Sequence, residues 1–370
     1  MKKAIVSVTN DLLTDQRVDR TCNTLTKLGY EILLIGRKLK TGKTINDRKY
    51  KLKRMCLLFN KGPLFYAEYN IRLFFLLLFK KAALLVSNDL DTLLPNFLIH
   101  KINNVPIVYD SHEYFCGVPE LQGRWAKKVW QRIEKWIFPK LKNIITVNDS
   151  IAKLYHEEYG KDLTVVRNIP VKREFKNLLS KKELGLPANK KIILLQGAGI
   201  NIDRGAEEAV QAMQFVDNAL FLIIGGGDVI EILKKMTIDL KIENKVKFIP
   251  KQAFEKLYNY TIYANIGLTL DKDTNINYRY SLPNKLFDYI HAGVPVLASD
   301  LVEIKRIIEK YEIGDLIDNH KPENIAGKLN QILANKDTLK TWKENLKKAA
   351  NELSWEKEEK KLIGIFEGEL

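Results

Sequence analysis

Ser281-Leu282-Pro283-Asn284-Lys285-Leu286-Phe287-Asp288-Tyr289-Ile290-His291-Ala292-Gly293-Val294-Pro295-Val296-Leu297-Ala298-Ser299-Asp300 contains a loop, a helix start, a helix stop and an apolar strand in close succession. Pro283 suits the first turn of a helix, where its missing N–H costs nothing. Gly293 ends that helix. Pro295 then opens Val296-Leu297-Ala298, a continuous apolar run of the kind a parallel sheet buries on both faces. Asn284 and Lys285 therefore stand at a helix N-terminus, where unpaired backbone N–H groups and the macrodipole attract phosphate. Lys285 adds a full charge, and Asp288, about one turn further on, is placed to accept hydrogen bonds from ribose hydroxyls. The same spacing also describes a plain helix cap with a solvated lysine and a surface aspartate.

The alternation of short apolar runs with helix-length stretches recurs in both directions from this block. Ala4–Val8, Glu31–Ile35, Ala83–Val86, Pro106–Tyr109 and Asn143–Val147 read as strands, and Val18–Leu28 as a helix closing at Gly29. After Asn168-Ile169-Pro170 the pattern restarts, with strands at Ile192–Gln196, Leu220–Ile224, Lys245–Phe248, Ile266–Leu270 and Val294–Ala298. Near-continuous apolar strands separated by helices indicate parallel sheets covered on both sides. The expected architecture is α/β, with two doubly wound, Rossmann-like domains in tandem. They are expected over 1–168 and 191–350, joined by a polar, basic connection over 169–190, with residues 351–370 as a last helix. Open sheets of this class bind ligands outside the carboxyl ends of their strands. The expected site is the cleft where those ends face each other.

Composition narrows the partner. The chain has 370 residues, 46% of them hydrophobic, with 60 Lys and Arg against 45 Asp and Glu, for a net charge of +15. Residues 1–165 carry 28 basic and 16 acidic side chains, so most of the excess lies in the N-terminal half. Such a surface calls for nucleic acid, acidic lipid or a phosphorylated ligand. No helix-turn-helix, zinc finger or single-strand motif accompanies the charge, which ranks a nucleic-acid partner last. Cys22, Cys56 and Cys116 lack CxxC spacing, against a disulfide framework or structural zinc. Ile71–Phe79, the most apolar run, is far short of the ~20 residues that span a bilayer. Met1 reads directly into an expected strand with no h-region or small-residue cleavage site, so no leader is expected. The expected location is cytoplasmic, peripheral on the inner face of the membrane. Residues 51–81 prompt the peripheral expectation: seven basic residues and one acid are interleaved with Phe59, Phe65, Tyr66, Tyr69, Phe74, Phe75 and Phe79, a composition suited to an anionic membrane surface. The same stripe would serve as domain core beneath a solvated cationic face.

Three further strand ends carry chemistry. Gln196-Gly197-Ala198-Gly199-Ile200-Asn201-Ile202-Asp203-Arg204-Gly205 is a small-residue loop into a helix, where Gly199 admits a ligand to the backbone and Arg204 can grip a phosphate. Ile224-Gly225-Gly226-Gly227-Asp228 is a glycine turn without dinucleotide spacing. Val108-Tyr109-Asp110-Ser111-His112-Glu113 places a histidine between acids, an acid/base or sugar-contacting unit in which Glu113 can orient the imidazole. Asp89, in Ser87-Asn88-Asp89-Leu90-Asp91-Thr92, is a second candidate, with a helix cap at Asp91 or Thr92 as the plainer reading. Asp15 and Arg17, in the first strand-to-helix turn, can pair with each other.

The Ser-Leu-Pro-Asn-Lys loop, the helix with its acid, and Ala-Gly-Val-Pro-Val resemble the donor-nucleotide segment of glycosyltransferase family 4, of the GT-B fold. The resemblance extends over nearly the whole chain, to Ser354-Trp355-Glu356. It implies a retaining glycosyltransferase of hexosyltransferase type, working without metal or cofactor. The implied donor is a nucleotide diphosphate sugar of UDP or GDP type; the implied acceptor is a glycan or lipid-linked molecule in cell-surface polysaccharide synthesis. It also implies that the last helix crosses back to the first domain. By resemblance, Arg204 contacts the donor diphosphate, Asp288 holds the ribose, Gly225 and Gly227 lie close to the nucleotide, and His112 with Glu113 faces the sugar. The chain departs from the family in two places: Tyr280 stands where the first of two acids is usual, and Ala198 where a second basic residue is usual. Lys285 is the cation available to compensate. A sugar-nucleotide 2-epimerase of the same fold is the alternative activity, and a basic nucleic-acid-binding protein the remotest.

Overall fold

The structure, a computed structural model, describes residues 2–12, 15–39, 48–172 and 178–368. The chain divides into two compact units, Met1–Asn168 with Glu358–Leu370, and Ile169–Lys357.

In the first unit, β1 (Lys3–Ser7), α1 (Gln16–Lys27), β2 (Glu31–Arg37), β3 (Lys51–Met55), α2 (Gly62–Leu78), β4 (Leu84–Asn88) and α3 (Leu90–Asn103) are followed by β5 (Ile107–Ser111), α4 (Trp125–Ile137), β6 (Asn143–Thr146), α5 (Asp149–Tyr159) and β7 (Thr164–Val165). All strands pair in parallel, in the order β3-β2-β1-β4-β5-β6-β7. From β3 through β6 the chain advances in one direction across the sheet. Right-handed crossovers therefore set α2, α3 and α4 on one common face. Central β4 and β5 are buried at every position, the burial expected of unbroken apolar runs. Order reverses between β1 and β4, and the carboxyl ends there, Ser7, Asn88 and Ser111, mark the switch point where such sheets bind ligands.

The second unit repeats the design with β8 (Lys191–Gly197), α6 (Ala206–Ala212), β9 (Ala219–Gly225), α7 (Ile230–Asp239), β10 (Val246–Pro250), α8 (Phe254–Thr261) and β11 (Ile266–Thr269). Then come α9 (Ile276–Arg279), α10 (Asn284–His291), β12 (Val296–Ser299), α11 (Val302–Tyr311), β13 (Gly314–Ile317), α12 (Pro322–Ala334) and α13 (Lys336–Glu352). Strand order is β10-β9-β8-β11-β12-β13. Successive side chains of β8 serve opposite cores: Ile193 and Leu195 pack in one, Ile192 and Leu194 in the other.

One expectation of organisation needs revision. The stretch 169–190 is not a free connection, because Ile169, Leu184 and Leu186 are buried in the second core; residues 173–177 of it lie outside the described residues. From Glu358 onward the last helix, α14 (Trp355–Glu367), belongs to the first unit, as the resemblance implied. Glu359 accepts from Thr24 Oγ1 at 2.7 Å and Lys27 Nζ at 2.8 Å, and Glu358 accepts from the backbone N–H of Arg167 at 2.9 Å.

Candidate functional site

In the second unit the polar groups gather where β8, β11 and α10 end or begin. Arg204, in the loop before α6, donates from Nη1 to Asp271 Oδ1 at 3.1 Å and lies 4.3 Å above the Tyr278 ring. Asp271, just beyond β11, is fully buried. Lys285 stands in the first turn of α10 and is half-buried. Burial pushes its ammonium below the ordinary lysine range; Asp271 acts against that shift and Arg204 adds to it. The three charges thus share one neighbourhood. Lys285 makes no hydrogen bond or ion pair to the described residues. Arg204 Nε, Thr269 Oγ1, Asp271 Oδ2 and Ser281 Oγ are buried and also unpaired. Buried polar atoms are normally satisfied, so a cluster of unsatisfied ones has the character of a site awaiting a ligand.

Asp288 is oriented from behind. Gln196, at the end of β8, accepts from Thr261 Oγ1 at 2.8 Å, and this fixes its amide to donate from Nε2 to Asp288 Oδ2 at 3.0 Å. Asn284 is exposed at the first position of α10. Pro283 is not inside that helix as expected; it is the N-cap, with extended backbone at φ −72° and ψ 140°. Its fixed φ suits either place, and the loop conformation selects the cap. The glycines separate by role. A Cβ on Gly225 would meet Gly197 O at 1.7 Å, and one on Gly227 would meet Ile200 O at 2.1 Å, so both let the turn after β9 press against the loop after β8. Gly199, by contrast, is exposed with no close obstacle.

In the first unit a second polar cluster occupies the β1, β4 and β5 ends. Arg17 is buried in α1 and grips Asp110, with Nε to Oδ2 at 3.0 Å and Nη2 to Oδ1 at 2.6 Å. Its expected pairing with Asp15 does not occur. Asp15 caps α1 by accepting from Val18 N–H at 3.0 Å, which leaves Arg17 to turn inward. Asp110 is completely enclosed; burial would raise its carboxyl, yet Arg17 and His112 hold it well below the usual carboxylate range.

His112 lies between three acceptors. Nε2 is 3.2 Å from Asn88 Oδ1 and 3.6 Å from Asp110 Oδ2, while Nδ1 is 3.4 Å from Asp89 Oδ2. Asn88 donates its own Nδ2 to Ser7 O, so the atom facing the imidazole is its oxygen and Nε2 must carry a proton. Burial alone would lower the imidazole pKa, but the Asp89 and Asp110 carboxylates raise it to about 9. With oxygens facing both ring nitrogens and the two carboxylates raising its pKa, the site favours the imidazolium form of His112 over a neutral general base. Asn88, Asp89 and Asp110 surround the imidazole, and the Glu113 side chain is exposed. Asp89 is not a bare cleft acid. It holds the His112 backbone N–H at 2.9 Å, and its φ of 59° places it as the first residue before α3, ahead of the caps expected at Asp91 or Thr92.

Comparison with known proteins fits this arrangement. Residues 178–349 match the family model for glycosyl transferases group 1, and residues 15–169 match that for glycosyltransferase family 4. The chain belongs to the group 1 glycosyltransferases. An uncharacterized glycosyltransferase of Methanocaldococcus jannaschii is 22% identical over 247 residues, 64% of this chain and 60% of that relative's length. Among solved structures, sucrose-phosphate synthase from Thermosynechococcus elongatus superposes with a TM-score of 0.80 at 16% identity, covering 100% of this chain and 99% of that one. Anabaena HepE in complex with UDP-glucose gives 0.75 at 14% identity, with both chains fully covered. The two parallel-sheet units of this group 1 glycosyltransferase are the GT-B fold.

Sequence reasoning missed Asp271, Asn88 and the Arg17–Asp110 pair. Asp271 and Asp110 each end a strand in an acid, a signal as local as the one that singled out His112. What makes them functional candidates is a partner 67 or 93 residues away.

Proposed function

We propose that this protein transfers a sugar from a nucleoside diphosphate sugar to a glycan or lipid-linked acceptor, with retention at the anomeric carbon. The observation that carries the proposal is the unpaired Lys285 ammonium beside Arg204, at the N-terminus of α10 and among buried polar atoms without partners. Two cations and a helix N-terminus suit a diphosphate, whose charge grows as it departs. This set of donors also supports transfer without a metal. Asp288, aligned by Gln196, accepts from the ribose hydroxyls. His112, in the first unit, offers a fixed donor and positive charge of the kind a sugar hydroxyl accepts from, with Nδ1 engaged by Asp89 only at 3.4 Å. Tyr280 leaves the position of the usual first acid without a carboxylate, so sugar recognition rests more heavily on the other groups. The UDP-glucose held by Anabaena HepE makes a uridine donor the first to try.

The test is calorimetric titration with UDP and with UDP-, GDP- and ADP-sugars, repeated for Arg204→Ala and Lys285→Ala. Each lost charge-assisted contact should weaken binding about 10- to 100-fold. Wild-type affinity and turnover in both variants would remove the diphosphate assignment. Incubation of a UDP-sugar alone checks the other activity of this fold, because an epimerase yields the epimer with no acceptor present.

A further inference from the structure

α2 is apolar on both sides. Phe65, Tyr69, Leu73 and Leu77, spaced four residues apart, are buried against the first unit. Leu64, Ile71, Phe75 and Phe79 face the other way and are 58%, 58%, 53% and 81% exposed. A helix needs one apolar stripe to pack, so the second stripe has no role within the unit. α4 repeats the feature with charge mixed in. Its outward row runs Trp125, Lys128, Val129, Arg132 and Trp136, all exposed, and Lys140 Nζ sits 4.9 Å from the Trp136 ring. The Tyr66 and Trp130 rings meet edge to face at 5.4 Å, joining α2 to α4, and the crossovers set both helices on the same side of the sheet.

The surface is also cationic. Residues 58–81 carry four basic side chains and one acid, Glu68, which is paired to Arg72. Residues 124–140 carry six and one, and that acid, Glu134, is buried. Lys61, Lys80 and Lys81 are exposed at the two ends of α2. Of the seventeen exposed large apolar side chains among the described residues, ten fall between 58 and 136. The apolar surplus and the positive charge therefore coincide. A second copy of this chain would bring two cationic faces together. An anionic surface with an apolar layer beneath it satisfies both properties.

We propose that the outward side of α2 and α4 docks on an anionic phospholipid bilayer. Phe75 and Phe79 enter the acyl boundary as apolar anchors, and Trp125 and Trp136, whose rings carry a polar N–H, lie at the headgroups. The lysines flanking α2 and the basic residues of α4 meet the lipid phosphates. The structure places this face more narrowly than residues 51–81 as a whole. Lys51–Met55 is an edge strand, Phe65 and Tyr69 are core, and α4 supplies the tryptophans. The inference goes beyond the donor chemistry and does not depend on it.

The experiment is co-sedimentation of the full chain with vesicles of phosphatidylcholine alone and of phosphatidylcholine mixed with phosphatidylglycerol, at low and high salt. Binding is expected to the mixed vesicles only, weakening with salt, with a blue shift of tryptophan emission. Each of Lys61→Gln, Lys80→Gln and Lys81→Gln should reduce it about 5-fold and the triple variant on the order of 100-fold. Phe75→Ser with Phe79→Ser should abolish the blue shift. All are surface changes, and UDP titration of each variant reports separately on folding and on the donor site. No binding to either vesicle, or equal binding to both that ignores the lysine changes, overturns the proposal. So does a concentration-dependent dimer that Phe75→Ser abolishes, because the occupant would then be a second copy.

Discussion

The charge state of His112 can be tested by raising the pH. In the folded chain the imidazole is held by Asp89 and Asp110 with a pKa of about 9, against an ordinary value of 6.5. A raised histidine pKa contributes stability that is fully present below the unfolded value. It is lost as pH climbs through the folded one. The window is thus from about 6.5 to about 9, and the rise corresponds to about 3 kcal/mol at its low-pH end. Arg17 stays on Asp110 throughout, and Asp89 keeps the His112 backbone N–H when the imidazole loses its proton. Asp91 also titrates here: burial raises it from 3.8 to about 8, which erodes stability between those values and overlaps the lower part of the histidine window. A single profile is therefore ambiguous, and the difference between wild type and His112→Gln isolates the imidazole. Urea midpoints followed by tryptophan fluorescence supply the profile, since Trp125, Trp130 and Trp136 lie in the first unit. Wild type should lose about 3 kcal/mol more than His112→Gln between pH 6 and pH 10. Parallel profiles, or an NMR titration of the His112 ring with its midpoint near 6.5, would refute the cationic assignment and restore the histidine as a base.

Other consequences are direct. Gly227→Ala drives a Cβ onto the Ile200 carbonyl and should cost about 3 kcal/mol or more in thermal unfolding, whereas Gly199→Ala should change stability by about 1 kcal/mol or less. Glu134 is buried among Tyr155, Tyr159 and Cys116, and burial raises its pKa to about 7. Its ionisation costs stability as pH rises from 4.5 to 7, so Glu134→Gln should match wild type at pH 4.5 and exceed it above pH 7 by up to about 3 kcal/mol in urea midpoints. Asp271→Ala removes the acceptor that holds Arg204, and calorimetry should show UDP affinity falling about 10-fold even though net positive charge has increased. Tighter binding would mean that Asp271 only repels the ligand.

The doubly wound order of both sheets was legible because central parallel strands are written as unbroken apolar runs, and β4, β5, β8 and β9 are all of that kind. β3 was not, because Lys51-Leu52-Lys53-Arg54-Met55 alternates in the manner of an edge strand whose charges face water. β13 escaped for a related reason, since Gly314-Asp315-Leu316-Ile317 carries only two apolar residues and sits at a sheet edge. At the site, Arg204, Lys285 and Asp288 stood out locally, being charges at a strand end or helix start. The carboxylates that fix the cations did not. Asp110 and Asp271 acquire their meaning through partners on other elements, which no spacing encodes. The two readings of His112, acid/base or sugar-contacting, separate at the same point. A histidine beside acids looks like a base until its ring nitrogens are seen to face oxygens on both sides.

The two units solve one problem in the same way. In each, an aspartate buried at the end of a parallel strand organises two cations: Asp110 holds Arg17 and faces His112, and Asp271 holds Arg204 beside Lys285. A surface cation must be ordered when its ligand arrives, and that ordering subtracts from binding. A cation tied to a buried carboxylate is already in place, and the cost of its order is met in folding. The two members of each pair are not equivalent, however. Arg17 and Arg204 are tied directly to the aspartate, while Lys285 has no partner and an ammonium whose charge is already disfavoured by burial. On the proposed donor assignment, an arriving diphosphate would reverse that disfavour most strongly at Lys285. Of the cations in the second unit, it would therefore be the one whose interaction strengthens most as charge builds on the leaving phosphate, and interactions that strengthen along the reaction are those that accelerate it.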